Sequence, residues 1–207
     1  MDTKKKILDC AFNILCKKGY DHTSVREIAG KADVNVAMIN YYFGGKEKLF
    51  DAVLQNRLSG LHGIFTEMVK DQSHTAIEKI ESVIDLVIDR KFSNREFHYL
   101  LHSELALKRR PELKEKISEY IMLNISPVKK IIKEGISSGE FRKVDIELTV
   151  TTIIGTIHYL LVSDTICQKI LGKPSSFAPF RNKELKERVN THLKALVRSH
   201  LLKQNVK

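Results

Sequence analysis

Between Ser24 and Phe43 two short stretches of helical periodicity are separated by only three residues, Asp33-Val34-Asn35. So short a connection forces the two helices to cross steeply and pack on each other, which constrains this chain more than any other segment. Val25, Ile28 and Ala29 form an inward side for Ser24–Ala32, and Thr23 is expected to cap its N-terminus. Asn35 can cap the second helix, Val36–Phe43, and Gly44-Gly45 closes it while permitting an abrupt change of direction. Val34 and Ile39 complete the seam between the two. Asn35, Val36, Ala37, Asn40 and Tyr41 are then left projecting from the second helix.

Helical periodicity continues through the rest of the chain. Only four prolines and ten glycines punctuate 207 residues, and no β-branched alternating run occurs, so the fold class is all-α. Residues 3–18 form a first helix with Asp2 or Thr3 as its cap and Gly19 at its stop. Further helices are expected at 46–69, 75–92, 94–108, 111–136, 146–171 and 183–203, with Pro127 kinking or breaking the fourth of these, 111–136. The stretch 146–171 is apolar nearly all round. Glu147, His158, Ser163 and Asp164 argue against a membrane span, so it reads as a helix buried by its own domain and by a partner.

The formal net charge of +10 suits a polyanionic partner. The surplus does not mark a site, however: residues 1–50 hold nine Lys/Arg against six Asp/Glu, and the remainder twenty-six against nineteen. Cys10, Cys16 and Cys167 form no metal or disulfide pattern and fit a reducing compartment. Lys4-Lys5-Lys6 before Ile7-Leu8 imitates an export signal, but Asp9 and Asn13 interrupt the apolar run, so a soluble cytoplasmic protein is expected, with no membrane association.

Catalytic patterns fail one by one. Gly44-Gly45-Lys46 lacks the earlier glycine of a phosphate loop, and Glu47 stands where Ser or Thr is needed. No nucleophile elbow, dinucleotide motif or di-iron motif occurs. His98 and His102 lie one helical turn apart, but no third ligand is near in sequence, so no metal, cofactor or enzymatic activity is expected.

Two short helices joined by a tight turn form the unit whose second helix enters a DNA major groove. Thr23-Ser24-Val25-Arg26-Glu27-Ile28-Ala29 and the run from Val34 through Asn40-Tyr41-Tyr42-Phe43-Gly44-Gly45-Lys46 to Phe50 resemble the TetR family of transcriptional regulators. The similarity covers residues 4–55. Asp33 stands where the family usually has Gly, and Val36 replaces a frequent Lys.

The resemblance implies an N-terminal three-helix helix-turn-helix DNA-binding domain at 1–47 and a larger helical ligand-binding and dimerisation domain at 48–207. Thr23, Tyr41, Tyr42 and Lys46 would contact phosphates, Val36, Ala37 and Asn40 would face the bases, and Asn35 would stand beside them on the DNA-binding side. The implied partners are double-stranded DNA with an inverted repeat, a second copy of the chain and a small-molecule effector that releases a repressor. Tyr99, His102, Tyr120, Thr156, His158 and Tyr159 have the polar-tipped character of a pocket lining. Ile153, Leu160, Val189, Leu193, Leu196, Val197 and Leu201 are expected at the dimer interface, because their stripe would otherwise face water. The alternative is a DNA-binding protein of the same fold that acts through protein partners and takes no effector.

Overall fold

A computed structural model describes residues 2–107 and 110–203. Among them lie ten α-helices: α1 (Thr3–Lys18), α2 (Val25–Ala32), α3 (Val36–Phe43), α4 (Lys46–Lys70), α5 (Ala76–Ser93), α6 (Arg95–Ala106), α7 (Pro111–Ser137), α8 (Ile146–Leu161), α9 (Asp164–Leu171) and α10 (Lys183–Leu201). One isolated bridge, Phe141 to Leu202, is the sole extended pairing among the described residues. The expected helix end at Lys108 lies outside the described residues.

The helices fall into two compact units, Met1–Leu61 with Glu96–Met122, and His62–Arg95 with Leu123–Lys207. In the first unit Ile7, Ala11, Ile28, Ile39, Phe50 and Leu54 share one buried core with Phe97, Leu101 and Ile117. The first unit therefore contains more than the helix-turn-helix, because α6 and the start of α7 contribute to the same apolar centre. Arg57 binds this core from its edge, stacking on the Phe12 ring at 3.8 Å and pairing with Asp9 at 3.0 Å.

In the second unit α5 and α10 pack along an ion-paired seam: Glu81 with Arg198, Asp85 with Lys194 at 2.7 Å, and Asp89 with Lys186 at 2.7 Å. The N-terminus of α5 is closed twice. Thr75 and Glu78 form a capping box, and the Glu140 carboxylate accepts from the Ala76 and Ile77 N–H groups at 2.8 and 2.9 Å. Beside it Gly135 is obligatory, since a Cβ there would lie 2.4 Å from the buried Phe141 ring.

Three expectations need correction. Pro127 does not break α7, which is continuous from Pro111 to Ser137. Proline removes the N–H that would bond to the Leu123 carbonyl, and His62 Nδ1 lies 2.8 Å from that same oxygen. The apolar stretch 146–171 is two helices rather than one. Ser163 takes an extended conformation, its hydroxyl accepts from the Ile166 N–H at 3.4 Å, and Asp164 in the new first turn pairs with Arg95 at 2.8 Å. A Ser-Asp pair inside an apolar run is an N-terminal cap signature that outweighs the run.

The third correction concerns the stripe on α10. Val189, Leu193, Val197 and Leu201, with Ile153 of α8, are buried in the chain's own second unit. Their periodicity signalled burial correctly, but the partner is α5 and α8 of the same chain. Leu160 is half-buried, and Leu196 is the exposed member of the set. Among the described residues no single helix is long and apolar enough to cross a membrane.

Candidate nucleic-acid interface

The turn between α2 and α3 is built by local chemistry. Asp33 adopts the left-handed conformation, φ 51° and ψ 53°, the only non-glycine among the described residues with positive φ. Asp and Asn tolerate this geometry better than other side chains. It lets the Val34 N–H reach back to the Ala29 carbonyl at 3.0 Å, ending α2 and turning the chain into α3. Asn35 caps α3, its Oδ1 accepting from the Ala37 N–H at 2.9 Å. Gly44, at φ 74°, ends α3 and lets α4 start immediately.

This geometry orients α3 sharply. Ile39 and Phe43 are buried in the core of the unit, which leaves Asn35, Ala37, Asn40 and Tyr41 exposed on the opposite side. Tyr41 is 81% exposed, and its ring meets the half-buried Tyr42 edge-on at 5.2 Å. Val36 is half-buried, so only part of its side chain is on the surface. The exposed surface of a short helix thus carries an amide, a small apolar group and a phenol, a set that suits base edges and phosphates.

Thr23 is not the cap of α2. That role falls to Ser24, whose hydroxyl accepts from the Glu27 N–H at 3.1 Å. Thr23 is buried, and its hydroxyl donates to the Gly19 carbonyl at 2.7 Å, so it locks the α1–α2 connection.

Lys46, the first residue of α4, places its Nζ 4.3 Å from the centre of the Tyr20 ring. Burial lowers its pKa below the ordinary lysine value, with nearby Asp21 opposing. The Arg110 guanidinium stands over the same ring at 4.5 Å and is ion-paired with Asp21 and with the buried Glu104. Tyr20, Glu104 and Arg110 escaped the sequence reading, because nothing local shows that the start of α7 reaches the α1–α2 connection. Of the N-terminal lysines, Lys6 lies 4.0 Å from Asp33, and Lys4 approaches the Phe43 ring at 6.0 Å.

The six expected pocket residues divide between the units: Tyr99, His102 and Tyr120 in the first, and Thr156, His158 and Tyr159 in the second. Tyr99 and Tyr159 are each 60% exposed, pointing away from the inward stripes of their helices. Tyr120 donates to Asp51 at 3.4 Å, and Thr156 returns its hydroxyl to the Thr152 carbonyl at 2.8 Å. A cavity of about 530 Å³ lies among α8, α9 and α10, where the expected Thr156 joins Leu160, Leu185 and Val189 beside Arg188 and His192. Burial, and then the charge of Lys91, lowers the His158 pKa below the ordinary histidine value.

The family profile of bacterial regulatory proteins, tetR family, matches residues 7–53. YttP of Bacillus subtilis is 31% identical over 144 residues, 68% of either chain. The fatty acid metabolism regulator protein of Bacillus subtilis is 30% identical over 156 residues, 73% of this chain and 78% of its own. Among solved structures, FadR from Bacillus subtilis in complex with stearoyl-CoA superposes with a TM-score of 0.74 at 23% identity, covering 93% of this chain and 96% of that one. With relatives matched along two thirds or more of their length and the profile lying on the helix-turn-helix itself, this chain belongs to the TetR family of DNA-binding transcriptional regulators.

Proposed function

We propose that the protein is a homodimeric, cytoplasmic repressor that binds an inverted-repeat operator and leaves it when a small molecule binds the helical domain. Residues 1–47 serve as the DNA-binding domain and 48–207 as the regulatory domain. The observation that carries the reading is the outward face of α3, where Asn35, Ala37, Asn40 and Tyr41 stand exposed on a helix held by its buried opposite side. Asn40 reads a base, Val36 and Ala37 meet thymine methyls, and Tyr41, Tyr42 and Lys46 grip phosphates. One such helix reads too few base pairs for specificity, which favours a twofold pair on a palindrome.

The dimer seam uses the faces of α8 and α10 that the chain's own core leaves open. Leu148, Thr151, Thr152, Gly155 and Tyr159 recur on one side of α8 and are exposed, and Leu196 is exposed on α10. Effector release is supported by the FadR neighbour, which was solved with stearoyl-CoA. It is supported too by the shared core of α1–α4 with α6 and α7, through which a shift in α6 or α7 reaches the helix-turn-helix.

The test is selection of duplexes from a random pool by the full chain, followed by a salt titration. Enrichment of an inverted repeat is expected. Lys46→Ala should weaken all duplexes alike and flatten the salt dependence, whereas Asn40→Ala should change the selected base at one position per half-site. Recovery of no motif, or of a single unrepeated half-site, would overturn the reading.

A further inference from the structure

On α5 the inward stripe runs Ile77, Ile80, Ile84, Ile88, all buried. Lys91 lies three residues beyond Ile88 and seven beyond Ile84, on the same stripe, and is only 7% exposed. The acidic side chains of α5 offer it nothing. Glu81, Asp85 and Asp89 are engaged with Arg198, Lys194 and Lys186 of α10 on another face. Among the described residues Lys91 has neither an ion pair nor a hydrogen bond.

Lysines often bury their stems while the head stays in water. Lys91 differs, for burial alone pushes its ammonium down to about 8. A buried cation without a partner opposes folding, and its persistence calls for a counter-charge that arrives from outside. His158 of α8 senses Lys91, and burial first, then repulsion from Lys91, favours its neutral imidazole. Ile153 and Ile157 of α8 are apolar and buried, and the other buried polar residues of the two helices, Lys79 and Thr149, lie twelve residues before Lys91 and nine before His158.

We propose that Lys91, with His158 beside it, forms the recognition point for a singly charged organic anion with an apolar body, Lys91 neutralising the charge. One cation beside a neutral imidazole balances one negative charge and leaves a dianion uncompensated. Apolar surroundings favour a molecule whose remainder is hydrocarbon over a small inorganic anion. The proposal rests on the reading of the helical domain as an effector-binding domain, and it identifies the chemical class of the effector.

The experiment uses two fluorescent molecules with the same rings, anionic 1-anilinonaphthalene-8-sulfonate and neutral N-phenyl-1-naphthylamine, on the full chain. Wild type should bind the sulfonate saturably. Lys91→Met should weaken the sulfonate by about tenfold and leave the neutral amine unchanged. Equal binding of the sulfonate by both proteins, or parallel loss of both dyes, overturns the proposal. A second measurement needs only the wild type: octanoate should displace the sulfonate at lower concentration than octanol, and equal potency overturns it. Operator binding separates the two readings. If the dyes behave as expected but never release DNA, the effector reading fails and the anion site stands. If octanol and the neutral dye release DNA as well as their anionic counterparts, the effector reading stands and the anion site fails.

Discussion

His62 Nδ1 lies 2.8 Å from the Leu123 carbonyl oxygen, the acceptor that Pro127 leaves without a helical donor four residues on. A side chain of α4 thus replaces the hydrogen bond that a proline removes from the middle of α7, and the helix continues. His62→Ala should destabilise the protein by about 0.5–1.5 kcal/mol, the usual net worth of such a bond. Pro127→Ala restores an N–H at the same carbonyl, so His62→Ala in that background should cost clearly less. Urea denaturation of the four proteins measures the coupling. Additive effects would show that His62 does not compensate for the proline.

Arg110 links the buried Glu104 to Asp21 and covers the Tyr20 ring that also carries Lys46. Arg110→Met would leave the Glu104 carboxylate buried and unpaired, a loss of roughly 2–4 kcal/mol once partial solvent access is allowed for. Glu104→Gln in the same chain should recover part of it, because the uncompensated charge disappears. Denaturation midpoints test this, and a double variant no more stable than Arg110→Met would refute the explanation. Arg110→Met should also loosen Lys46 and weaken DNA binding generally, a change read in the salt titration.

The helix-turn-helix was legible because its signals are short-range. Asn35 caps the helix it begins, Asp33 takes the left-handed turn, and Gly19 and Gly44 end their helices, all within a few residues of the cause. Thr23 and Ser24 compete for one cap, and the choice depends on the Gly19 carbonyl that accepts from Thr23. Elsewhere the causes are distant. Periodicity shows that Leu193 and Val197 are buried, but not by which surface, and the partners of Glu81 and Asp85 on α10 lie more than a hundred residues away. Lys91 is hidden because it continues the apolar stripe Ile77–Ile88 of α5 into a charged position, and nothing local shows that this position is buried. The break between α8 and α9 was hidden in the same manner, its Ser163 cap counted as a polar exception within a continuous helix.

The two sides of α8 and α10 should respond in opposite ways to charge. Leu193 is fully buried in its own chain, so Leu193→Asp should unfold the second unit rather than yield a folded monomer. Leu148 and Tyr159 are 64% and 60% exposed, and the double variant Leu148→Asp/Tyr159→Asp should fold, dissociate and lose most of its operator affinity. Light scattering with circular dichroism at micromolar concentration distinguishes these outcomes. A folded dimer in the double variant would move the interface to another face.

Lys91 makes a prediction in pH as well as in ligand binding. Its ordinary pKa of 10.5 falls to about 8 on burial, with no partner to offset the loss of solvent. Below pH 8 both folded and unfolded chains carry the proton, and the folded state bears the full penalty of a buried charge. Between pH 8 and 10.5 the folded chain releases the proton while the unfolded chain retains it, so this residue's contribution to stability becomes less unfavourable as pH rises. Above that range both forms are neutral and the penalty is absent. Lys91→Met should therefore be more stable than wild type at pH 7 by roughly 2–3 kcal/mol, an order of magnitude set by the size of the shift. The advantage should shrink steadily through pH 8, 9 and 10. Tyrosines and other lysines titrate there too, but they are common to both proteins and cancel in the difference. His158 has already lost its proton in this range and adds no slope. Urea titrations of both proteins at each pH provide the curve. A wild type more stable than Lys91→Met at pH 7, or a difference that does not change with pH, would show that the ammonium is solvated or paired in the folded chain.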